Sequence, residues 1–287
     1  MVSATIIPDY VEGNSGGKMY LGIDIGATKT LLAVFTKNGE IKQSVKLKTP
    51  HNYSQFLDVL TEGIHSLDEK DFAAIGLAIP GVVDRENGVG IAFGNLPWKN
   101  VHLASYLEKL MNTPVLMEND SKLAALSEAI LIKDDYRKVL YVTISTGISA
   151  GLIVDGVIDP ELADSESGHM LLEHKGHLTK WQDFASGKAI FKRYGKLASE
   201  ITDQAEWKVI AHDIALGLID LIAVLQPEVI ILGGGVGANF SKFKEPLIKQ
   251  LKKYEMPLVP IPPVRMAKRP EEAVIFGCYE LLKAHYG

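Results

Sequence analysis

The sequence contains a single cysteine, Cys278, which excludes an intramolecular disulfide and any zinc site built from several thiolates. One lone thiol fits a reducing cytoplasm. No apolar run approaches the ~20 residues that a membrane-spanning helix needs. The first 18 residues, with Pro8, Asp9, Glu12, Gly13, Asn14, Gly16 and Gly17, lack the basic start and apolar centre of a signal peptide. They read as a flexible extension, with Met19 as a candidate functional start. There is no basic cluster either. Thirty Lys and Arg stand against 35 Asp and Glu, a net charge of −5, which argues against a nucleic-acid surface. Low-complexity segments and a DNA-binding helix pair ahead of residue 19 are also missing.

What is present begins with a composition, 47% hydrophobic and 23% charged, that describes a globular protein. At 287 residues there is length for two cores. One pattern occurs twice, in Tyr20–Phe35 and in Val139–Gly156. Each copy has an apolar β-branched run, a tight turn of Gly, Thr and Ser, and a second apolar run. Such a turn can bring several backbone N–H groups near one anion, because glycine removes the side chain that would block approach. A third glycine cluster, Gly233-Gly234-Gly235, follows the apolar run Glu228–Leu232. Together these predict a cleft that grips a nucleotide from both sides.

Elsewhere Tyr53, Phe56, Leu57, Leu60 and Ile64 fall at helical spacing, and Phe72–Ile79 reads as a buried strand. The glycine-rich stretch from Gly81 to Gly94, running on to Asn95 and Trp98, reads as loop. Val101–Met111 predicts a helix, Pro114–Met117 a strand, and Glu118-Asn119-Asp120-Ser121 a strand-to-helix junction whose Asn, Asp or Ser can act as cap. Residues 157–187 read as loop. Trp207–Leu225, Phe240–Lys253 and Glu271–His285 read as helices. The alternation predicts an α/β fold. The repeated hairpins predict a duplicated domain around a cleft. The expected division is a smaller domain, 19–119 with the C-terminal helix 271–287, and a larger one, 120–270.

Asp24 lies between apolar residues of a strand, where a carboxylate is costly unless paired. It is either satisfied by nearby N–H groups or holds Mg²⁺ through water beside phosphates. Lys29, Thr28 and Thr146 offer an ammonium and hydroxyls at the two turns. Asp120 is either a helix cap or a general base for a hydroxyl. Asn119 can donate to and accept from hydroxyls. Glu166 and His169 can face one ligand, yet without cysteine partners they make a poor zinc site.

Asp24-Ile-Gly26-Ala-Thr28-Lys29-Thr, Glu118-Asn119-Asp120, Ser145-Thr146-Gly147-Ile-Ser-Ala-Gly151 and Glu166-Ser-Gly168-His169 occur in an order and spacing that resemble the ROK family. The resemblance runs from about Met19 to the C-terminus. It implies the actin-like, ribonuclease H-like ATPase fold and transfer of a phosphoryl group from ATP to a sugar, with Mg²⁺. By the same resemblance Asp120 is the base, and Asn119, Glu166 and His169 meet sugar hydroxyls. Asn95 and Gly81 line the sugar pocket. Asp24, Gly26, Thr28, Lys29, Thr146 and Gly147 serve the phosphates, and Gly233, Gly234 and Gly235 the adenosine. A homodimer is expected, with no nucleic-acid or membrane partner. Glucose is the leading substrate. N-acetylhexosamine, fructose and mannose are alternatives, polyphosphate is an alternative donor, and a non-catalytic sugar sensor is an alternative role.

Two departures stand out. In many ROK members the histidine matching His169 ligates zinc with three cysteines, which are absent here. No structural zinc is therefore expected, and His174 and His177 are poor substitutes. The family's sugar-binding glutamate ahead of Ser186-Gly187 is replaced by Gln182, with Asp183 beside it.

Overall fold

The computed structural model describes residues 18–287, so the expected extension lies outside the described residues except for Lys18. Two sheets carry the architecture. The first is built from β1 (Met19–Ile25), β2 (Lys29–Phe35), β3 (Ile41–Lys48), β4 (Phe72–Ile79) and, after a small sheet of β5 (Gly81–Asp84), β6 (Val89–Phe93) and β7 (Lys99–Val101), by β8 (Val115–Asn119). Its strand order is β3-β2-β1-β4-β8. β1, β2 and β3 form an antiparallel meander, while β4 runs parallel to β1 and β8 parallel to β4.

The second sheet uses β9 (Lys138–Ile144), β10 (Ile148–Val154) and β11 (Val157–Ile158). After the hairpin of β12 (Leu171–His174) and β13 (His177–Lys180), it adds β14 (Val229–Gly233) and β15 (Val264–Met266). Its order, β11-β10-β9-β14-β15, repeats that of the first, with the same antiparallel meander and the same two parallel additions. The duplication predicted from two hairpins therefore extends to whole five-stranded sheets.

Helices complete each half: α1 (Tyr53–His65), α2 (Leu103–Met111) and α3 (Asp120–Ile130), then α4 (Trp181–Ala185), α5 (Gly187–Tyr194), α6 (Gln204–Leu225), α7 (Gly234–Gly237), α8 (Phe240–Leu251) and α9 (Ala273–Tyr286). The predicted α1 face is borne out: Phe56, Leu60 and Ile64 are buried, and Asn52 caps the helix by accepting from the Gln55 N–H. α3 follows the fifth strand of the first sheet and α9 the fifth strand of the second, and the two pack together. Their backbones come so close that a methyl group at Gly277 would overlap the Leu123 carbonyl. Glu128, buried on α3, accepts from the Lys268 and Arg269 N–H groups at 2.9 and 2.6 Å, which fixes the approach to α9. α9 also packs on β1 and β4, so the C-terminal helix returns to the first sheet.

Three readings are corrected. The stretch from Gly81 is a three-stranded sheet rather than loop, and Val101 ends β7, so α2 begins at Leu103. Residues 157–187 hold β11, the β12–β13 hairpin and α4. That hairpin closes through Lys175-Gly176, both at positive φ, a two-residue turn with the twist that antiparallel strands need. Its short, polar strands carry no long apolar run, which is why the pattern looks like loop.

Candidate active site

The junction of β8 and α3 carries Asn119 and Asp120. Asn119, in extended conformation, is the cap of α3: its Oδ1 accepts from the Ser121 N–H at 2.9 Å and the Lys122 N–H at 3.3 Å. Its Nδ2 donates to the Gly81 carbonyl at 2.8 Å. Capping thus falls to Asn119, and Asp120 is the first helical residue. The Asp120 Oδ1 accepts only from the Ser121 N–H, at 2.6 Å, among the described residues. Ser121 is further tied to Ser149 of β10 at 2.8 Å, fastening the helix start to the second sheet.

Burial pushes the Asp120 carboxyl up to about 6; the Ser121 N–H opposes this and the charge of Glu166 adds to it. Asp24, at the end of β1, is pushed up to about 7 by burial and then by the charge of Asp120. Among the described residues Asp24 accepts no hydrogen bond and makes no ion pair. Lys122, two residues beyond Asp120, is buried and donates to the Ala150 and Ser165 carbonyls. Its ammonium pKa is lowered by burial, against the raising charges of Glu166 and Glu118.

Glu166 and His169 flank a short 3₁₀ turn, Ser167–His169, and both are exposed toward the cleft. Gln182, on α4, places its Nε2 3.1 Å from His169 Nε2 and its Oε1 against Gly147 and Gly168. His174, on the hairpin, stacks on Phe184 with ring centres 4.2 Å apart and lies 3.7 Å from Asp213, which also pairs with Arg193 at 2.7 Å.

Asn119, Asp120, Ser121, Ser149, Glu166, His169 and Gln182 line a cavity of about 750 Å³. Its walls include Gly81, Asn95, Asn119, Asp120, Thr146, Gly147, Glu166, His169, Gln182 and Gly234, so ten of the predicted positions meet in one place. Gly234 has φ +74, and a side chain there would press on the Ile144 carbonyl. The first turn is different. Thr28 and Lys29 are exposed, Gly26 closes the turn by donating to the Lys29 carbonyl at 2.9 Å, and neither they nor Asp24 line the cavity. Gly233 is buried against Tyr141, and Gly235 is exposed. Sequence reasoning missed Thr143, Ser149, Lys188, Lys192 and Glu271 on the walls. Lys188 and Lys192 are one turn apart on α5, directly after Ser186-Gly187, a spacing that could have been read.

Among the described residues no cluster of three His, Cys, Asp or Glu side chains could hold a metal ion. Mg²⁺ bound through phosphates needs only one or two carboxylates, and the unpaired Asp24 beside Asp120 suits that donor chemistry.

A sequence model of the ROK family matches residues 20–285. The chain is 31% identical to the N-acetyl-D-glucosamine kinase of Histophilus somni, over 92% of this chain and 98% of that one. It is 28% identical to the N-acetylgalactosamine kinase of Shewanella sp. strain ANA-3, over 76% of this chain and 82% of that one. Among solved structures, the ROK hexokinase from Thermus thermophilus superposes with a TM-score of 0.76 at 26% identity, covering 94% of this chain and 100% of that one.

Proposed function

The chain belongs to the ROK family, and from that premise we propose that it is an ATP-dependent sugar kinase whose preferred acceptor is an N-acetylhexosamine. The observation that carries the reading is the convergence of Asp120, Glu166, His169 and Gln182 in one cavity that also contains the second glycine turn. Glucose led among the substrates expected from the sequence. The hexosamine kinases among the relatives, together with the amide of Gln182, move the N-acetyl sugars ahead of it. A glutamine N–H can donate to an acetyl carbonyl; a carboxylate there could not.

In this reading Glu166, His169 and Gln182 orient the sugar so that one hydroxyl faces Asp120. Asp120, as carboxylate, takes the hydroxyl proton while the phosphorus–oxygen bond forms. Its raised pKa keeps it basic enough to hold that proton. The N–H groups of Thr146 and Gly147 and the turn at Gly234 hold phosphate and adenosine on the opposite wall. Lys188 and Lys192 add positive charge there. Mg²⁺, when bound with the nucleotide, would supply positive charge to offset that developing on the phosphates. Asp24 would hold it through water. The cleft is read as separating 19–119 plus 271–287 from 120–270, and cytoplasmic ATP as the donor.

A coupled ADP-release assay over N-acetylglucosamine, N-acetylgalactosamine, glucose, mannose and fructose tests the proposal. An N-acetyl sugar should show the highest kcat/KM. A higher value for glucose would return the substrate to the neutral hexoses, and no turnover with any sugar would favour a sugar sensor.

A further inference from the structure

Arg85 stands outside the cavity wall, yet it touches both sides of the site. It follows β5 and grips Glu118 of β8 with a two-pronged contact, Nε to Oε2 and Nη2 to Oε1, each 2.7 Å. Glu118 is buried and immediately precedes Asn119 and Asp120; its Oε1 also accepts from the Asn119 N–H at 2.6 Å. The remaining prong, Nη1, reaches Asp164 Oδ1 at 2.7 Å, and Nη2 lies 3.4 Å from the Ala163 carbonyl. Ala163 and Asp164 belong to the segment after β11 that leads into Glu166 and His169. Lys122 holds the next carbonyl, Ser165, at 3.0 Å. Two cations, one from each side, therefore clamp the residues directly ahead of Glu166.

The two legs differ in character. Glu118 is 7% exposed, and its fork with Arg85 joins the end of β5, in the small sheet, to β8 of the first sheet. Asp164 is 74% exposed, and its leg crosses from the first sheet's side to the second's. A buried, forked pair is strong and geometrically strict, whereas an exposed single contact is weak and screened by salt. The first leg is a fixed mount; the second can open.

We propose that Arg85 is a positioning residue that latches the Glu166–His169 segment to the Asn119–Asp120 junction, so that sugar contacts and base are held in register when the cleft is closed. This rests on the reading of the cavity as the sugar site. The guanidinium matters for its shape as well as its charge, because one lysine ammonium cannot serve Glu118 twice and Asp164 once.

The test uses Asp164→Asn, which leaves the buried fork intact, and Asp164→Glu as the conservative rescue. The sugar Kd of Asp164→Asn, measured without nucleotide, should rise about three- to fivefold, the upper range for an exposed pair. Its kcat should change less than twofold. Raising salt should weaken sugar binding by the wild-type protein and have less effect on Asp164→Asn, and Asp164→Glu should restore most of the affinity. Hydrogen exchange of residues 163–169 in sugar-free protein should quicken in Asp164→Asn. Unchanged exchange would overturn the latch whatever the cavity binds. Unchanged Kd and salt response, in a protein whose wild type binds sugar, would overturn the coupling to the site. Absence of sugar binding by the wild type would instead overturn the functional reading on which the coupling depends.

Discussion

The two glycine turns look alike in sequence and differ in use. Both close an antiparallel pair whose first strand also pairs in parallel with the fourth strand of its sheet. Asp24 on β1 and Thr143 on β9 sit at corresponding places, each followed by an isoleucine and the turn. In the second half Gly147 and the hydroxyl-bearing Thr143 and Thr146 line the cavity. In the first half Gly26, Thr28 and Lys29 are not on the cavity wall, and the position corresponding to Thr143 holds Asp24, a carboxylate with a raised pKa. The fifth strands diverge in the same way. β8 runs into Asn119 and Asp120, whereas β15 leads to the start of α9, which supplies packing against α3. Duplication supplied two equivalent frames; a few side chains at strand ends set the two apart, an aspartate in one half where the other has a threonine.

The largest expected effect breaks the first half's contribution. Asp120→Asn should lower kcat by about 10²–10⁴-fold, the range typical of a positioned base, with sugar and nucleotide still bound in calorimetry. A folded variant retaining most of its kcat would remove Asp120 from the chemistry. The wild-type profile should agree. Because the base works as carboxylate and its pKa is about 6, kcat/KM should fall about tenfold per pH unit below that value and level off above it.

Next in size is the contrast between the two corresponding positions. Asp24→Asn should weaken Mg²⁺ activation by about 10–100-fold, as loss of an outer-shell partner does, while Thr143→Val should leave it nearly unchanged. Stability should move the opposite way. A carboxyl raised from its ordinary 3.8 to about 7 binds its proton more tightly when folded. The wild-type protein therefore loses stability as pH rises from about 4 to 7. The thermal midpoint of Asp24→Asn should gain on the wild type across that window and hold its lead above it. Parallel melting curves at every pH would show that Asp24 is not strained by burial.

A smaller effect is expected at Gln182. A carboxylate accepts charge-assisted bonds roughly twice as strong as neutral ones. Gln182→Glu should lower the KM for glucose by about 5–30-fold and narrow the range of sugars accepted, measured on glucose, mannose, fructose and N-acetylglucosamine. If none of the four responds, Gln182 serves only to hold His169.

The smallest concerns the hairpin. Purified protein should contain no stoichiometric zinc, because the three cysteines that would join His169 are absent. His174→Ala, which removes the stacking on Phe184 and the contact with Asp213, should cost about 1 kcal/mol, or roughly 2–4 °C in a thermal melt. One tightly held zinc per chain would mean that the hairpin is fastened in another way.

Much of the site was legible because strand ends and turns carry their chemistry in short, contiguous motifs. Glu118-Asn119-Asp120, Ser145-Thr146-Gly147 and Glu166 to His169 announce themselves at once, and Gln182 shows as a departure. The cap of α3 was not legible. Asn, Asp and Ser all serve as caps, and only the backbone angles of Asn119 gave it that task and released Asp120. The β5–β7 sheet was hidden by its glycines, which suit tight turns as well as close strand approach. The β12–β13 hairpin was hidden by short strands with exposed Leu171 and Leu178. Lys188 and Lys192 belong to no motif in the sequence, and it is α5 that places them on the cavity wall.

The sequence by itself determined the alternation of strands and helices, the repeated turns, the single thiol and the candidate base, because these depend on periodicity and on residues adjacent in the chain. Tertiary structure decided what depends on distance across the chain. It buried Asp24 near the charge of Asp120, both of which raise its pKa, placed the second glycine turn on the cavity wall, and set Arg85 between Glu118 and Asp164. Charges act through space and burial sets their strength, so the ionisation of these groups follows from how the two sheets and the α3–α9 pair assemble.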